Sequence, residues 1–202
     1  MRAILSVVGT FVCLSGLAAA DEKFSDDVAF MKKHTQIVLL QDGDAAVALA
    51  PAYQGRVMTS TFDRNAGPSF GWINRPVIEK GLLSDEEKKG KLEEHIYIFG
   101  GEERFWLGPE GGQFALFFKP GAKFEFSDWA TPPAIDTEAF ELAEQSPSSA
   151  KFKYATELVN YSGTKFKVGI ERTVKVLNRA TASKLLGVEI GDGLRMVLSS
   201  VR

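Results

Sequence analysis

The residues best suited to bind a ligand lie in one glycine-rich, aromatic stretch of the sequence. Six of the 19 glycines fall within Gly100–Gly121, and ten of the 22 aromatic residues fall within Tyr97–Trp129. Polar side chains are interspersed among them, chiefly Arg104, Glu110 and Gln113. Aromatic rings stack on the apolar face of a pyranose, and carboxylate, guanidinium and amide groups hydrogen-bond its hydroxyls. The stretch therefore predicts a sugar site, with the alternative that its aromatic residues form core and its glycines form tight turns.

Two further residues have a predicted role in this site. Trp106 is expected to stack on the sugar ring, while the three polar residues bind the hydroxyls. His95 directly precedes the stretch and is the candidate catalytic residue, because an imidazole transfers protons near neutral pH. A single His is also common as a purely structural residue, so both interpretations stay open.

The composition excludes several classes of protein. The chain has 202 residues, of which 45% are hydrophobic and 25% are charged, which is typical of a globular domain and not of a disordered chain or coiled coil. A net charge of −2 without a polybasic block argues against a nucleic-acid partner. One Cys and two His exclude a thiolate zinc site and an HExxH helix, so no metal or other cofactor is expected.

The first 20 residues have the layout of a secretory signal peptide. A positive start at Arg2 is followed by an apolar run and then by Ala18–Ala20, whose small side chains suit cleavage after Ala20. The apolar run is shorter than the roughly 20 residues that span a bilayer. We therefore expect a periplasmic or secreted protein with no stable membrane anchor after cleavage, and Cys13 is removed with the leader.

The hydrophobic pattern predicts a single all-β domain over residues 21–202, with one or two short helices. A helix is expected at Ser25–Lys33, capped by Ser25, and a charged surface helix at Asp85–Glu94 after a capping box that begins at Ser84. The expected strands are Ile37–Leu40, Ala45–Leu49, Gln54–Phe62, Ile96–Phe99, Phe114–Phe118, Phe140–Leu142, Phe152–Leu158 and Lys165–Leu177.

The strand Lys165–Leu177 has the clearest alternation. Apolar residues from Phe166 to Val176 share one face, and charged residues share the other. Arg172 interrupts the apolar face. It could contact an anion or a sugar hydroxyl inside the sheet. Alternatively, it could be a charge at the end of the strand or pair with a carboxylate in the core, and these two arrangements are together the more common. Short strands of this kind, joined by turns, favour an antiparallel sandwich.

Two segments resemble the galactose-mutarotase-like (aldose 1-epimerase-like) superfamily, and more narrowly an exported bacterial branch of it. The segment Gly100–Gln113 is similar to the family's Gly-Gly, Arg, Trp and Pro-Glu segment, and Pro51–Val57 is similar to the strand that opens such domains. The similarity extends over roughly Ile37–Gly187.

The resemblance implies an antiparallel β-supersandwich that binds sugars on a concave sheet. Arg104 corresponds to the family's sugar-contacting Arg, Trp106 and Glu110 to its Trp and acid, and His95 to the acid that protonates an aldose during isomerisation. The second His and the general base of mutarotases lie later in the domain, and no His follows Arg104 here. The family also continues with more strands after Gly187, so a C-terminally truncated domain is expected.

The sequence thus predicts a carbohydrate-binding exported protein without a complete catalytic set. The first alternative is an aldose epimerase or mutarotase that acts at the anomeric carbon with His95 as acid. The second is a structural or partner-binding β-sandwich. The identity of the sugar and the oligomeric state are left open.

Overall fold

The computed structural model describes residues 22–202, so the predicted signal peptide lies outside the described residues. Seven strands and five short helices make up the described part, with 3-10 turns at Pro51–Tyr53, Leu92–Glu94 and Phe126–Asp128. The elements are, in chain order, α1 (Phe24–Met31), β1 (Val38–Asp42), β2 (Ala45–Ala50), β3 (Arg56–Thr61), α2 (Arg75–Lys80), α3 (Asp85–Lys88), α4 (Pro133–Asp136), β4 (Glu141–Ser146), β5 (Ser149–Val159), β6 (Lys165–Val176), α5 (Arg179–Leu186) and β7 (Ser199–Val201).

The strands form two antiparallel sheets. One has the order β1-β2-β3 and the other β4-β5-β6-β7. Within each sheet, every strand pairs with the strand that is next to it in the sequence. The predicted all-β class is confirmed. No helix in residues 22–202 is long and apolar enough to cross a membrane.

The three-stranded sheet is buried on both faces. In β2, Ala46, Ala48 and Ala50 belong to a core that includes α1, while Val47 and Leu49 belong to a second core shared with the other sheet. Because successive side chains of a strand point to opposite faces, the alanines leave room for the helix and the larger residues fill the space between the sheets. The result is a helix, a sheet and a second sheet in three layers.

The four-stranded sheet has one buried and one exposed face. Phe152 of β5 and Ile170, Val174 and Val176 of β6 pack in the core between the sheets, and charged residues of both strands face solvent. The alternation predicted for β6 is therefore confirmed.

Two predicted strands are wrong. Residues 96–99 and 114–118 form no strand, and they lie within a long irregular connection between α3 and α4. The backbone of the second segment bonds to turns, for example from Leu116 N to Pro109 O at 3.1 Å and from Ala115 N to Gly112 O at 3.0 Å. Burial there does not follow the alternation of Phe114, Leu116 and Phe118: Ala115 and Phe117, which lie between them, are fully buried in a small separate core, and Phe114 is 58% exposed.

The predicted helices form with different ends. Lys23 precedes α1, and Ser25 lies inside the helix, so the predicted Ser25 cap is wrong. The capping box at Ser84 is confirmed, but α3 stops at Lys88. Lys89, with ψ of 127°, leaves the helical path, and Gly90, with φ of 67°, continues the turn.

Candidate functional site

The segment that begins at Gly100 is attached to the edge of β3. Glu102 N donates to Val57 O at 2.8 Å, and Glu103 forms a bridge with Val57, while Gly101 N donates to Trp72 O in the connection that follows β3. Gly101 has φ of +108°, and a Cβ added there would lie 2.8 Å from Arg56 Cδ. This glycine is thus required by close packing against β3 and does not serve the approach of a ligand.

Arg104 is held by two acceptors from α4. Its Nη2 donates to Ile135 O at 2.7 Å and to Asp136 Oδ1 at 3.1 Å. Asp136 is buried, and its second oxygen accepts from Tyr97 N at 2.8 Å. Burial raises the pKa of the Asp136 carboxyl above its ordinary value, against the opposing effects of the Tyr97 N–H and Arg104. Burial likewise lowers the pKa of Arg104.

Trp106 joins Arg104 to Glu110. The Arg104 guanidinium lies over the Trp106 ring, with Cζ 4.4 Å from the ring centroid. The indole Nε1–H donates to Glu110 Oε1 at 2.8 Å. Three of the four predicted ligand-binding residues are therefore connected, and Glu110 is exposed to solvent.

Gln113, the fourth predicted residue, is not part of this chain of contacts. It lies exposed in the following turn, where its backbone carbonyl accepts from the Ser162 hydroxyl. Its side-chain amide forms no hydrogen bond within residues 22–202 and faces solvent.

His95 lies at the far end of a row of aromatic side chains. Trp106 contacts Phe117 with centroids 5.1 Å apart, and Phe117 stacks on Trp129 at 5.4 Å. Phe126 contacts both Trp129 and His95, at 6.0 and 4.4 Å. We call these five residues the aromatic row. The structure thus connects His95 to the Arg104–Trp106–Glu110 chain only through intervening rings.

The His95 ring is oriented by a backbone carbonyl. Nδ1 lies 2.6 Å from Trp129 O, and a carbonyl oxygen only accepts, so Nδ1 carries the proton in this bond. Nε2 is then the nitrogen that can exchange a proton with a ligand. Within the described part of the chain, no carboxylate forms an ion pair with His95.

Behind the site lies a buried polar cluster that the sequence pattern only partly indicated. Arg172 of β6 pairs with Glu103, and its Nε donates to Gly55 O at 3.3 Å. Arg172 therefore pairs with a carboxylate, although the Glu103 side chain is partly exposed and not in the core. Arg56 is 2% exposed and donates to Gly100 O at 2.9 Å. Burial, with Arg104 nearby, lowers the pKa of Arg56 to about 10.

Sequence reasoning missed Asp136, the residue that fixes Arg104. It comes after Pro132 and Pro133 in a stretch whose composition also suits a surface turn. No periodic signal marks a carboxylate that is buried by a four-residue helix. For the buried polar cluster beside Arg104, the available signal was Arg172, which interrupts the apolar face of β6.

The fold and the site together define a class: a two-sheet antiparallel β protein with a polar and aromatic surface segment anchored to an internal arginine–carboxylate cluster. The chain belongs to a family of unknown function (DUF6786), whose profile matches residues 22–200. No curated protein and no solved structure matches it.

Proposed function

We propose that this protein binds carbohydrate at the surface formed by residues 104–113, as galactose-mutarotase-like domains bind sugars. One observation carries the proposal: Arg104, Trp106 and Glu110 form a continuous chain of stacking and hydrogen bonding that ends in solvent. The Arg104–Asp136 pair fixes the buried end of this chain. Its exposed end is therefore preorganised, which lowers the entropic cost of binding.

The exposed end offers the groups that a sugar requires. Glu110 uses one carboxylate oxygen for the Trp106 N–H, which leaves the other oxygen to accept from a hydroxyl. The exposed Gln113 amide, three residues further along the chain, adds donors and an acceptor. The half-buried Trp106 ring, with the Arg104 guanidinium stacked over it, supplies apolar surface for the C–H face of a pyranose.

We extend the proposal to the detailed architecture of the two sheets and to the cellular compartment of the protein. The two antiparallel sheets are compatible with a β-supersandwich, in which sugars lie against a concave sheet. The N-terminal signal-peptide pattern supports a periplasmic or secreted protein, where glycans are available as ligands.

Titration calorimetry with the sugars selected on a glycan array tests the proposal. We expect Glu110→Ala to weaken binding about tenfold or more, because a hydrogen bond to a charged group is lost. The matched control is Glu125→Ala, which removes an exposed glutamate from the same connection and should bind as wild type does. Absence of glycan binding by the folded protein, or equal affinity in both variants, would contradict the proposal.

The second candidate function is isomerisation of an aldose at its anomeric carbon. The observation that favours it is the His95–Trp129 bond, which orients the imidazole and leaves Nε2 free to transfer a proton. Polarimetry of a freshly dissolved aldose would measure mutarotation. We expect the wild-type protein to accelerate the reaction and His95→Gln to abolish the acceleration, whereas an unchanged rate in the variant rejects this role.

A further inference from the structure

Two separate aromatic surfaces flank the buried Phe117 ring. Trp106 packs against this ring with centroids 5.1 Å apart, and Trp129 stacks on it at 5.4 Å with the two ring planes 9° apart. Phe117 is 1% exposed, whereas both indoles are partly exposed. The two Trp surfaces are therefore distinct, because the ring between them is out of reach of a ligand, and yet they lie only one ring apart.

The surface at Trp129 includes the most exposed ring of the aromatic row. Phe126 is 60% exposed and lies nearly parallel to Trp129, with centroids 6.0 Å apart. Its position is fixed by a 3-10 turn, in which Trp129 N donates to Phe126 O at 3.1 Å. The chain that leads into this turn is held as well, since Lys123 N donates to Asp128 Oδ2 at 3.0 Å. The Phe126 ring is thus exposed and preorganised, which lowers the entropic cost of stacking a ligand on it.

His95 places a hydrogen-bonding group beside the exposed ring. The centroids of the His95 and Phe126 rings are 4.4 Å apart. The bond from Nδ1 to Trp129 O fixes the imidazole, so Nε2 of the neutral ring can accept from a hydroxyl. An apolar ring face beside one oriented polar group suits the C–H face and a hydroxyl of a pyranose.

The distance between the two surfaces determines how long the ligand must be. Phe117 and Trp129 lie between Trp106 and Phe126 in the aromatic row. A pyranose is about as large as one aromatic ring, so a sugar that stacks on Trp106 does not reach Phe126. A chain of sugars can contact both surfaces, and the second contact then forms within the complex, where its effective concentration is high.

We propose that the ligand is an oligosaccharide, with one sugar at Trp106 and Glu110 and another stacked on Phe126 and hydrogen-bonded by His95. This inference rests on the carbohydrate binding proposed above and adds a second subsite to that site. It assigns His95 a role in binding, in place of the proton transfer considered for aldose isomerisation.

Calorimetry with sugars of increasing length tests the second subsite. The probes are malto-, cello- and galacto-oligosaccharides of one to six residues. In the series that binds, we expect the affinity to rise about tenfold or more between the monosaccharide and the longer members. Phe126→Ala should lower the affinity of the longer members to that of the monosaccharide, because the ring on which the second sugar stacks is lost.

Phe124→Ala is the matched control. Phe124 is 52% exposed in the same connection, but its ring contacts Phe118 and Tyr161, with centroids 5.0 and 4.6 Å apart, and not the aromatic row. This variant should bind every length as the wild type does. Thermal melts would verify that both variants are folded. An equal loss of affinity in the two variants overturns the proposal.

NMR spectra of the indole N–H signals separate this inference from the function on which it rests. We expect the monosaccharide to shift the Trp106 signal alone and the longer members to shift the Trp106 and Trp129 signals together. A shift of Trp106 with an affinity that is independent of length overturns the second subsite and leaves carbohydrate binding intact. Absence of binding at every length overturns both.

Discussion

At the scale of single residues, the candidate site depends on Arg104 and the carboxylate that holds it. Asp136 is buried, and the same carboxylate accepts from Arg104 and from the Tyr97 backbone. Burial penalises the charged form of both partners, and their attraction offsets only part of this penalty. The Arg104–Trp106–Glu110 chain is positioned by this pair.

The raised pKa of Asp136 leads to a pH prediction. Because its folded-state pKa lies above the unfolded value of about 3.9, the proton stabilises the fold. That stabilisation is complete below the unfolded pKa and is lost as the pH rises through the folded pKa. Urea unfolding of wild type and of the non-ionisable Asp136→Asn should therefore show wild type losing stability relative to the variant as the pH rises from about 4.

The opposite trend has a clear meaning. If wild type gains stability over Asp136→Asn across that pH range, the attraction of Arg104 outweighs burial, and the direction of the pKa shift is wrong. Glu86→Gln, which alters an exposed carboxylate paired with Lys89, is the control and should show no such difference.

At the scale of elements, the attachment of the segment to β3 determines where the site lies. Gly100 bridges Ile73, Gly101 bonds to Trp72, and Glu103 bridges Val57. The contact with Val57 holds the start of the segment against the three-stranded sheet, and the other two join it to the connection between β3 and α2. The later glycines of the segment, such as Gly111, have open space around them.

Substitution of two glycines distinguishes a glycine that close packing requires from one that lies in open space. Gly101→Ala should lower the free energy of unfolding by about 2 kcal/mol or more, because φ is +108° and the new Cβ would lie 2.9 Å from Val57 O. Gly111→Ala, where an added Cβ meets nothing within 4 Å, should have a much smaller effect. Equal effects in chemical denaturation would show that Gly101 is not constrained by its neighbours.

The elements also show what sequence patterns can and cannot predict. The alternation in β6 and the two apolar runs at Ile37–Leu40 and Ala45–Leu49 were sufficient, because these strands pair with neighbours along the chain. A similar alternation at Phe114–Phe118 was misleading, since the fully buried residues there are Ala115 and Phe117, in the opposite phase, and they pack in a small irregular core. Whether an alternating segment becomes a strand depends on the strand with which it can pair, and the periodicity of one segment does not identify that partner.

The site was predictable to a similar extent. Arg104, Trp106 and Glu110 were identified because their types and spacing resemble a known segment, and the structure brings these three together. Asp136 was missed because its contact with Arg104 joins residues 32 positions apart.

At the scale of the whole molecule, the core between the sheets holds the fold together. Phe152 of β5 is fully buried, and its ring occupies the space beside Gly55, where an added Cβ would lie 2.6 Å from the ring. Gly55 precedes β3, so this contact links the two sheets directly. Membership of a family of unknown function extends over both sheets, from residue 22 to residue 200.

Removal of this ring should destabilise the whole protein. We expect Phe152→Ala to reduce the free energy of unfolding by about 3–5 kcal/mol, through lost burial and the cavity that remains. Phe126→Ala removes a ring that is 60% exposed and should cost far less. Calorimetric Tm values would compare the two, and a similar loss in both would mean that the sheets do not share this core.

The most direct test of carbohydrate binding is an NMR titration of the three Trp indole N–H signals with the sugars that a glycan array selects. The Trp106 N–H is bonded to Glu110, so a sugar hydroxyl that reaches this carboxylate must change the environment of that proton. Single Trp→Phe variants would assign the signals of Trp72, Trp106 and Trp129. We predict a saturable shift of the Trp106 signal while that of the exposed Trp72 stays unchanged. A Trp106 signal that does not move at saturating sugar would contradict the account.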